Sequence, residues 1–159
     1  MALLSPAARQ GTGPLARLMR EGGLYCVFQP LADLREGQVY AHEALIRGPQ
    51  NTPLHTPDKL LELARHEGML QDFELLCVYT AMEQWGRHDA PGRLFVNISA
   101  DALVHGVQLI GATELGNTVR SLGLSARMLV LEITEHERVT DMPQLRQAIS
   151  QQLARWSAA

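Results

Sequence analysis

Three polar side chains occur inside three apolar, strand-like stretches of the sequence. They are Glu43 in the stretch 39–46, Asn97 in the stretch 94–98 and Glu132 in the stretch 128–134. A carboxylate inside a hydrophobic strand costs free energy unless it is paired or bound to a metal ion. Carboxylate and amide oxygens are hard donors of the kind that Mg²⁺ and Mn²⁺ prefer. The pattern therefore favours a divalent-metal site to which several strands contribute.

Strands and helices alternate along most of the chain, which favours a parallel sheet with helices packed on it. We predict strands over 24–34, 39–46, 94–98 and 128–134, and helices over 57–68, over 71–86, between 101 and 122 and after Asp141. The turn at Glu36-Gly37 predicts an antiparallel hairpin of the first two strands, and Pro30 interrupts the first of them. Because the polar residues lie near strand carboxyl ends with helices to follow, we expect the top of a β/α barrel.

The strand faces refine this prediction. Glu43 shares its strand face with Leu45, and Glu132 shares its face with Val130, since alternate residues point the same way. Both faces of these strands are largely apolar, which predicts burial between a barrel interior and an outer layer of helices.

Composition excludes several classes of protein. The chain has 159 residues, 46% hydrophobic and 19% charged, as expected for one globular domain. The net charge of -3 argues against nucleic acid as a partner. We find no signal peptide and no apolar run of membrane-spanning length, and we expect a cytoplasmic protein. Cys26 and Cys77 lack metal-binding spacing and are predicted to be buried, reduced thiols.

Four short motifs occur in an order that resembles the EAL domain, the cyclic di-GMP phosphodiesterase family of bacterial signalling. They are FQPL at 28–31, EALIR at 43–47, VNIS at 96–99 and EITE at 132–135. The resemblance covers about residues 24–157 and implies a TIM-like (β/α)8 barrel with an antiparallel first strand. We expect only the first half of that barrel here, ending before the family's Asp-Asp-Phe-Gly region. Residues 1–23 are predicted to be a linker or N-terminal extension, with a linker over 5–14 and a short helix over 15–20.

The resemblance implies hydrolysis of cyclic di-GMP to linear pGpG by a two-metal mechanism that uses Mg²⁺ or Mn²⁺. It assigns one metal ion to Glu43, Asn97 and Glu132, with Glu43 also counted as catalytic. We find no counterpart in the sequence of the family's paired aspartates, its catalytic lysine, its later loop glutamate or its late glutamine. The chain alone is therefore expected to be inactive.

The resemblance also assigns ligand contacts. Arg47 would hold a phosphate, to which its bidentate guanidinium is suited, and Gln29 and Leu45 would line the ligand pocket. Two further residues have weaker assignments: Glu135, which lies in a charged run typical of a solvated loop, and His55, which lies in the loop after the second strand.

Each assignment has a structural alternative. Glu43 and Glu132 could be ion-pair partners, Asn97 could cap the helix that follows it, and Arg47 could be a surface cation. Two alternatives to an enzyme also stay open: a catalytically silent module that binds cyclic di-GMP, and a protein-interaction module. For any of them we expect a second copy of the chain, or the other signalling domains of a longer protein, as partners.

Overall fold

The computed structural model describes residues 4–88 and 92–134, together with Pro143 and Ser150. Within them, four strands are β1 (Tyr25–Asp33), β2 (Gln38–Arg47), β3 (Arg93–Ser99) and β4 (Leu129–Thr134). The helices are α1 (Pro6–Gln10), α2 (Pro14–Glu21), α3 (Pro57–His66), α4 (Leu70–Gly86), α5 (Ala100–Ile110) and α6 (Ala112–Ser121), and a 3₁₀ turn at Ala126–Met128 precedes β4. Glu135 and the helix predicted after Asp141 lie outside the described residues, apart from those two single positions.

The four strands form one sheet in the order β1-β2-β3-β4. β1 and β2 pair antiparallel, whereas β2, β3 and β4 run parallel. The predicted hairpin and parallel sheet are therefore confirmed. Pro30 does not break β1, where it lies opposite His42. Proline has no N–H donor, and it is tolerated here because β1 is an edge strand of the described sheet.

One face of the sheet carries the core. Leu94, Val96 and Ile98 of β3 point to this face and are no more than 3% exposed. Trp85 of α4 belongs to the same buried cluster as Leu94 and Val96, so α4 covers this face. Burial of these side chains supplies the main driving force for holding helix and sheet together.

The opposite face is largely open, which differs from the expectation that both faces are buried. Gln29, Asn97 and Glu132 on this face are exposed, and Val27 is 40% exposed. The difference arises because the described helices pack on the other face, where α4 lies, and leave these side chains accessible.

The first residues of the described structure are helical, unlike the linker expected over 5–14. Ser5 accepts a hydrogen bond from Ala8 N and so caps α1. Leu4, Ala8 and Leu15 are no more than 1% exposed, which anchors this segment in the core. α2 covers the short helix predicted over 15–20 and ends at Gly22. None of the described helices is long and apolar enough to cross a membrane.

Candidate functional site

A row of polar side chains crosses the open face of the sheet. Gln29 of β1 lies opposite Glu43 of β2, and Asn97 of β3 lies opposite Glu132 of β4. The Asn97 amide nitrogen donates a hydrogen bond to Glu43 Oε1 over 2.7 Å, which links the two pairs. Strand register therefore brings together four residues that the sequence predicted for the site. Their roles there stay a prediction.

The hydrogen bond between Asn97 and Glu43 uses the Asn97 amide nitrogen and one Glu43 carboxylate oxygen, which limits the atoms left for a ligand. Because the Asn97 nitrogen makes this bond, the bond leaves the acceptor positions of the Asn97 carbonyl oxygen unused. Asn97 does not cap α5, since Ser99 does so by accepting from Ala102 N. Within residues 4–88 and 92–134, neither Glu43 nor Glu132 forms an ion pair. These carboxylates thus remain open to a cation.

The donor set fits a hard divalent ion only in part. Two carboxylates and one amide oxygen match the ligand preferences of Mg²⁺ and Mn²⁺. However, no three His, Cys, Asp or Glu side chains of the described chain converge as a metal-binding group. The three residues would therefore hold an ion with its remaining positions filled by water, by substrate or by further protein ligands.

Arg47 and Leu45 lie on the same strand face as Glu43, toward the end of β2. Arg47 lies opposite Tyr25 and donates from Nη1 to the Ile46 carbonyl oxygen over 2.8 Å. That bond uses one of the five guanidinium N–H donors, and four remain for an anion. Leu45 lines a cleft that also includes Asn97.

The cleft has a volume of about 260 Å³ and is lined by residues of the sheet, α3 and α4. Cys26 and Cys77 are among the residues that line it. Burial raises the pKa of the Cys26 thiol to about 12, although Arg47 acts in the opposite direction. Burial also raises the pKa of Cys77 well above its ordinary value. Both thiols are therefore protonated at neutral pH and are poor nucleophiles.

His55 belongs to the loop that follows Arg47. Its Nδ1 lies 3.2 Å from the Gly48 carbonyl oxygen, and Gly48 N donates to the His55 carbonyl oxygen over 3.1 Å. The His55 ring lies 6.4 Å from the Tyr25 ring. These contacts close the loop beside Arg47. A direct contact between His55 and ligand stays a prediction.

The sequence reasoning missed one carboxylate at this edge of the sheet. Glu74 of α4 lines the same cleft as Asn97 and accepts hydrogen bonds from Ser99 N and Ser99 Oγ. The sequence gives no clear signal for it, because Glu74 follows Gln71 and Asp72 and so resembles a solvent-facing helix residue.

The comparisons with known proteins agree on one family. The EAL domain profile matches residues 14–158. Over 126 residues, the chain is 32% identical to the cyclic di-GMP phosphodiesterase PA2567 of Pseudomonas aeruginosa. That match covers 76% of this chain and 21% of PA2567. The chain thus spans about a fifth of the length of this curated relative.

Solved structures show the same fold. The Klebsiella pneumoniae BlrP1 complex with manganese and cyclic di-GMP has a TM-score of 0.68 at 21% identity, over 84% of this chain and 33% of BlrP1. The PaMucR phosphodiesterase complex with cyclic di-GMP has a TM-score of 0.67 at 25% identity, over 84% of this chain and 56% of PaMucR. The sheet described above therefore has the architecture of the corresponding part of an EAL barrel.

Proposed function

The chain belongs to the EAL domain family, and we propose that it is the part of a cyclic di-GMP phosphodiesterase that binds one of two catalytic metal ions. The observation that carries the proposal is the row formed by Gln29, Glu43, Asn97 and Glu132 on the open sheet face. Support comes from PA2567, which is named a cyclic di-GMP phosphodiesterase. The BlrP1 complex contains manganese, and we expect the site of this chain to bind either Mn²⁺ or Mg²⁺.

In this proposal Glu43, Asn97 and Glu132 hold one Mg²⁺ or Mn²⁺ ion through their oxygens. When bound, a pair of such ions neutralises phosphoryl charge and lowers the pKa of an attacking water. The hydrogen bond from the Asn97 amide nitrogen holds the Glu43 and Asn97 side chains in a fixed position relative to each other. The preorganised oxygens then need little rearrangement to accept the ion.

The remaining residues bind and orient the nucleotide. The Arg47 guanidinium can bind a phosphate through two parallel N–H···O hydrogen bonds. Leu45, which lines the cleft, supplies an apolar contact. Gln29, opposite Glu43, adds an exposed amide that can donate to the ligand. The substrate phosphodiester would lie over the row, between Arg47 and the metal ligands.

The described residues supply oxygen donors for one ion, whereas a two-metal hydrolysis needs donors for two. We therefore expect the 159-residue chain to bind cyclic di-GMP in a metal-dependent way and to release no pGpG by itself. Turnover requires the second set of ligands, from a longer protein or from a different chain. The proposal implies a cytoplasmic location, because the substrate is an intracellular signalling nucleotide.

The proposal is tested by titrating labelled cyclic di-GMP with the chain in Mn²⁺ and following fluorescence anisotropy. We expect binding that is lost with EDTA and weakened at least tenfold by Arg47→Ala. Arg35→Ala is the matched control, since Arg35 lies in the exposed β1–β2 turn. Equal cyclic di-GMP binding by wild type and Arg47→Ala would overturn the proposal. Cyclic di-GMP binding that EDTA leaves unchanged would also overturn it.

Chromatography of the same mixtures distinguishes the enzyme from a silent binding module. Release of pGpG by the chain alone would show that oxygen donors for one metal ion are sufficient for hydrolysis, which would contradict the expectation of no turnover. Metal-dependent binding without pGpG, combined with turnover by a longer protein that contains these residues, supports the proposal. The same binding without turnover in the longer protein would favour the silent module.

A further inference from the structure

We infer that Glu74 is a positioning residue for the metal site, acting through Ser99 on Asn97. The inference rests on the proposed function. Glu74 lies on α4, and both of its carboxylate oxygens are used by one residue of the β3–α5 junction. Oε1 accepts from Ser99 N over 3.1 Å, and Oε2 accepts from Ser99 Oγ over 2.6 Å. Charge-assisted hydrogen bonds of this kind are short and strongly oriented.

Ser99 is the last residue of β3 and lies two positions beyond Asn97. Ser99 is also the N-cap of α5 and has an extended backbone, so its position fixes where β3 ends and α5 begins. By holding Ser99 N and Oγ at once, Glu74 fixes the rotation of the β3 end. That rotation sets the direction of the Asn97 carbonyl oxygen relative to Glu43.

The helix cap alone does not require this carboxylate. Ser99 Oγ already caps α5 by accepting from Ala102 N over 3.1 Å. An apolar side chain at position 74 would also suit a cleft that is lined by Phe73 and Cys77. The Glu74 carboxylate therefore adds two hydrogen bonds at Ser99 beyond the bond of the helix cap.

Glu74 is placed to act on the site because it lines the cleft together with Asn97 and Thr134. Thr134 ends β4 and lies opposite Ser99. The ends of β3 and β4 thus meet beside Glu74, at the edge that carries Asn97 and Glu132. Partners that orient a metal ligand typically change metal affinity by about 10- to 100-fold when removed.

The test measures Mn²⁺ binding by electron paramagnetic resonance, without nucleotide. We expect Glu74→Ala to weaken Mn²⁺ binding by about tenfold or more, and Glu74→Gln to lie between it and wild type, because one acceptor oxygen remains. Glu83→Ala is the matched control. Glu83 is on the same helix and pairs with Arg87 at the surface over 2.8 Å, so its loss should leave Mn²⁺ binding unchanged.

A second readout separates positioning from a general loss of stability. The Asn97 side-chain amide resonances should shift in metal-free Glu74→Gln while most backbone resonances stay in place. If Glu74→Ala does not fold, Glu74→Gln carries both measurements. Wild-type Mn²⁺ affinity and unshifted Asn97 resonances in folded Glu74→Gln would overturn the inference.

The outcomes for the two proposals are distinguishable. Normal Mn²⁺ binding with no binding of cyclic di-GMP would contradict the proposed function and leave the Glu74 test intact. Failure of the wild-type chain to bind Mn²⁺ would overturn the Glu74 inference together with the metal assignment.

Discussion

The amide nitrogen of Asn97 lies 2.7 Å from Glu43 Oε1, which joins two residues that are 54 positions apart in the sequence. The two side chains come from neighbouring parallel strands, β2 and β3. The bond gives each side chain a defined direction on the exposed sheet face.

Replacing Asn97 with Asp should turn this contact from attractive to repulsive. Two carboxylates would face each other at hydrogen-bond distance, and the metal-free protein should lose up to about 1 kcal/mol of unfolding free energy because the pair is exposed. A divalent ion would relieve the repulsion. We therefore expect Mn²⁺ to raise the melting temperature of Asn97→Asp by more than it raises that of wild type, as measured by differential scanning fluorimetry.

The control for this experiment is Asn117→Asp. Asn117 of α6 donates to Glu114 Oε1 over 3.0 Å, in an exposed pair of the same chemistry away from the sheet. This variant should show no additional stabilisation by Mn²⁺. An equal Mn²⁺ effect in Asn117→Asp and Asn97→Asp would count against a metal site at Asn97.

Glu67 should contribute to stability from outside the site. It accepts from Leu15 N over 3.0 Å and from Ala16 N over 3.3 Å, and so satisfies two free N–H groups in the first turn of α2. Glu67→Ala should cost about 1–2 kcal/mol of unfolding free energy in urea titrations. Glu62→Ala is the control, because Glu62 pairs with Lys59 at the exposed surface and its loss should leave stability unchanged. Equal effects of the two variants would refute the capping role.

Gly48 should be required for the loop that follows Arg47. A Cβ atom at this position would collide with the Leu54 carbonyl oxygen, which is backbone and cannot simply rotate away. Gly48→Ala should displace the loop and Arg47 with it, and should weaken cyclic di-GMP binding in the anisotropy assay. Pro53→Ala, at an exposed position of the same loop, should leave binding unchanged. Normal binding by Gly48→Ala would show that the loop and Arg47 move independently.

Cys26 should make stability fall at alkaline pH. Burial raises its pKa to about 12 in the folded protein, whereas the unfolded thiol titrates near its ordinary value of 9.0. Above pH 9 the unfolded chain therefore loses a proton that the folded protein keeps, and the unfolding free energy falls by up to about 1.4 kcal/mol per pH unit until pH 12. Urea titrations at pH 8 and pH 10 should show a smaller decrease for Cys26→Ala than for wild type. The same decrease in both proteins would contradict the assigned burial.

The strands of the site were predictable because period-two alternation and apolar runs mark them clearly. Glu43, Asn97 and Glu132 stand out as polar residues within such runs, and the parallel pairing of β3 and β4 follows from the helices between them. The resemblance of four ordered motifs to the EAL family was confirmed by the EAL domain profile over residues 14–158.

The contacts that support the site could not be predicted from local pattern. Ser5 bonds to Asp72 with both its backbone N and its hydroxyl, across 67 positions of sequence. Glu74 bonds to Ser99 across 25 positions. Both acidic residues lie on α4 and resemble ordinary solvent-facing helix residues in the sequence, yet Asp72 is only 7% exposed. The packing of α4 against the rest of the chain determines the hydrogen-bond partners of Asp72 and Glu74. The periodicity of the sequence alone does not specify that packing.

The central claim is that Glu43 is part of a divalent-metal site, and Mn²⁺ binding by Glu43→Gln tests it most directly. This variant keeps an acceptor oxygen for Asn97 and removes only the charge. Glu36→Gln, in the exposed β1–β2 turn, is the matched control. Counting bound Mn²⁺ by electron paramagnetic resonance, we predict one ion per chain for wild type and Glu36→Gln, and at least tenfold weaker binding for Glu43→Gln. Equal Mn²⁺ binding by Glu43→Gln and Glu36→Gln would contradict the claim.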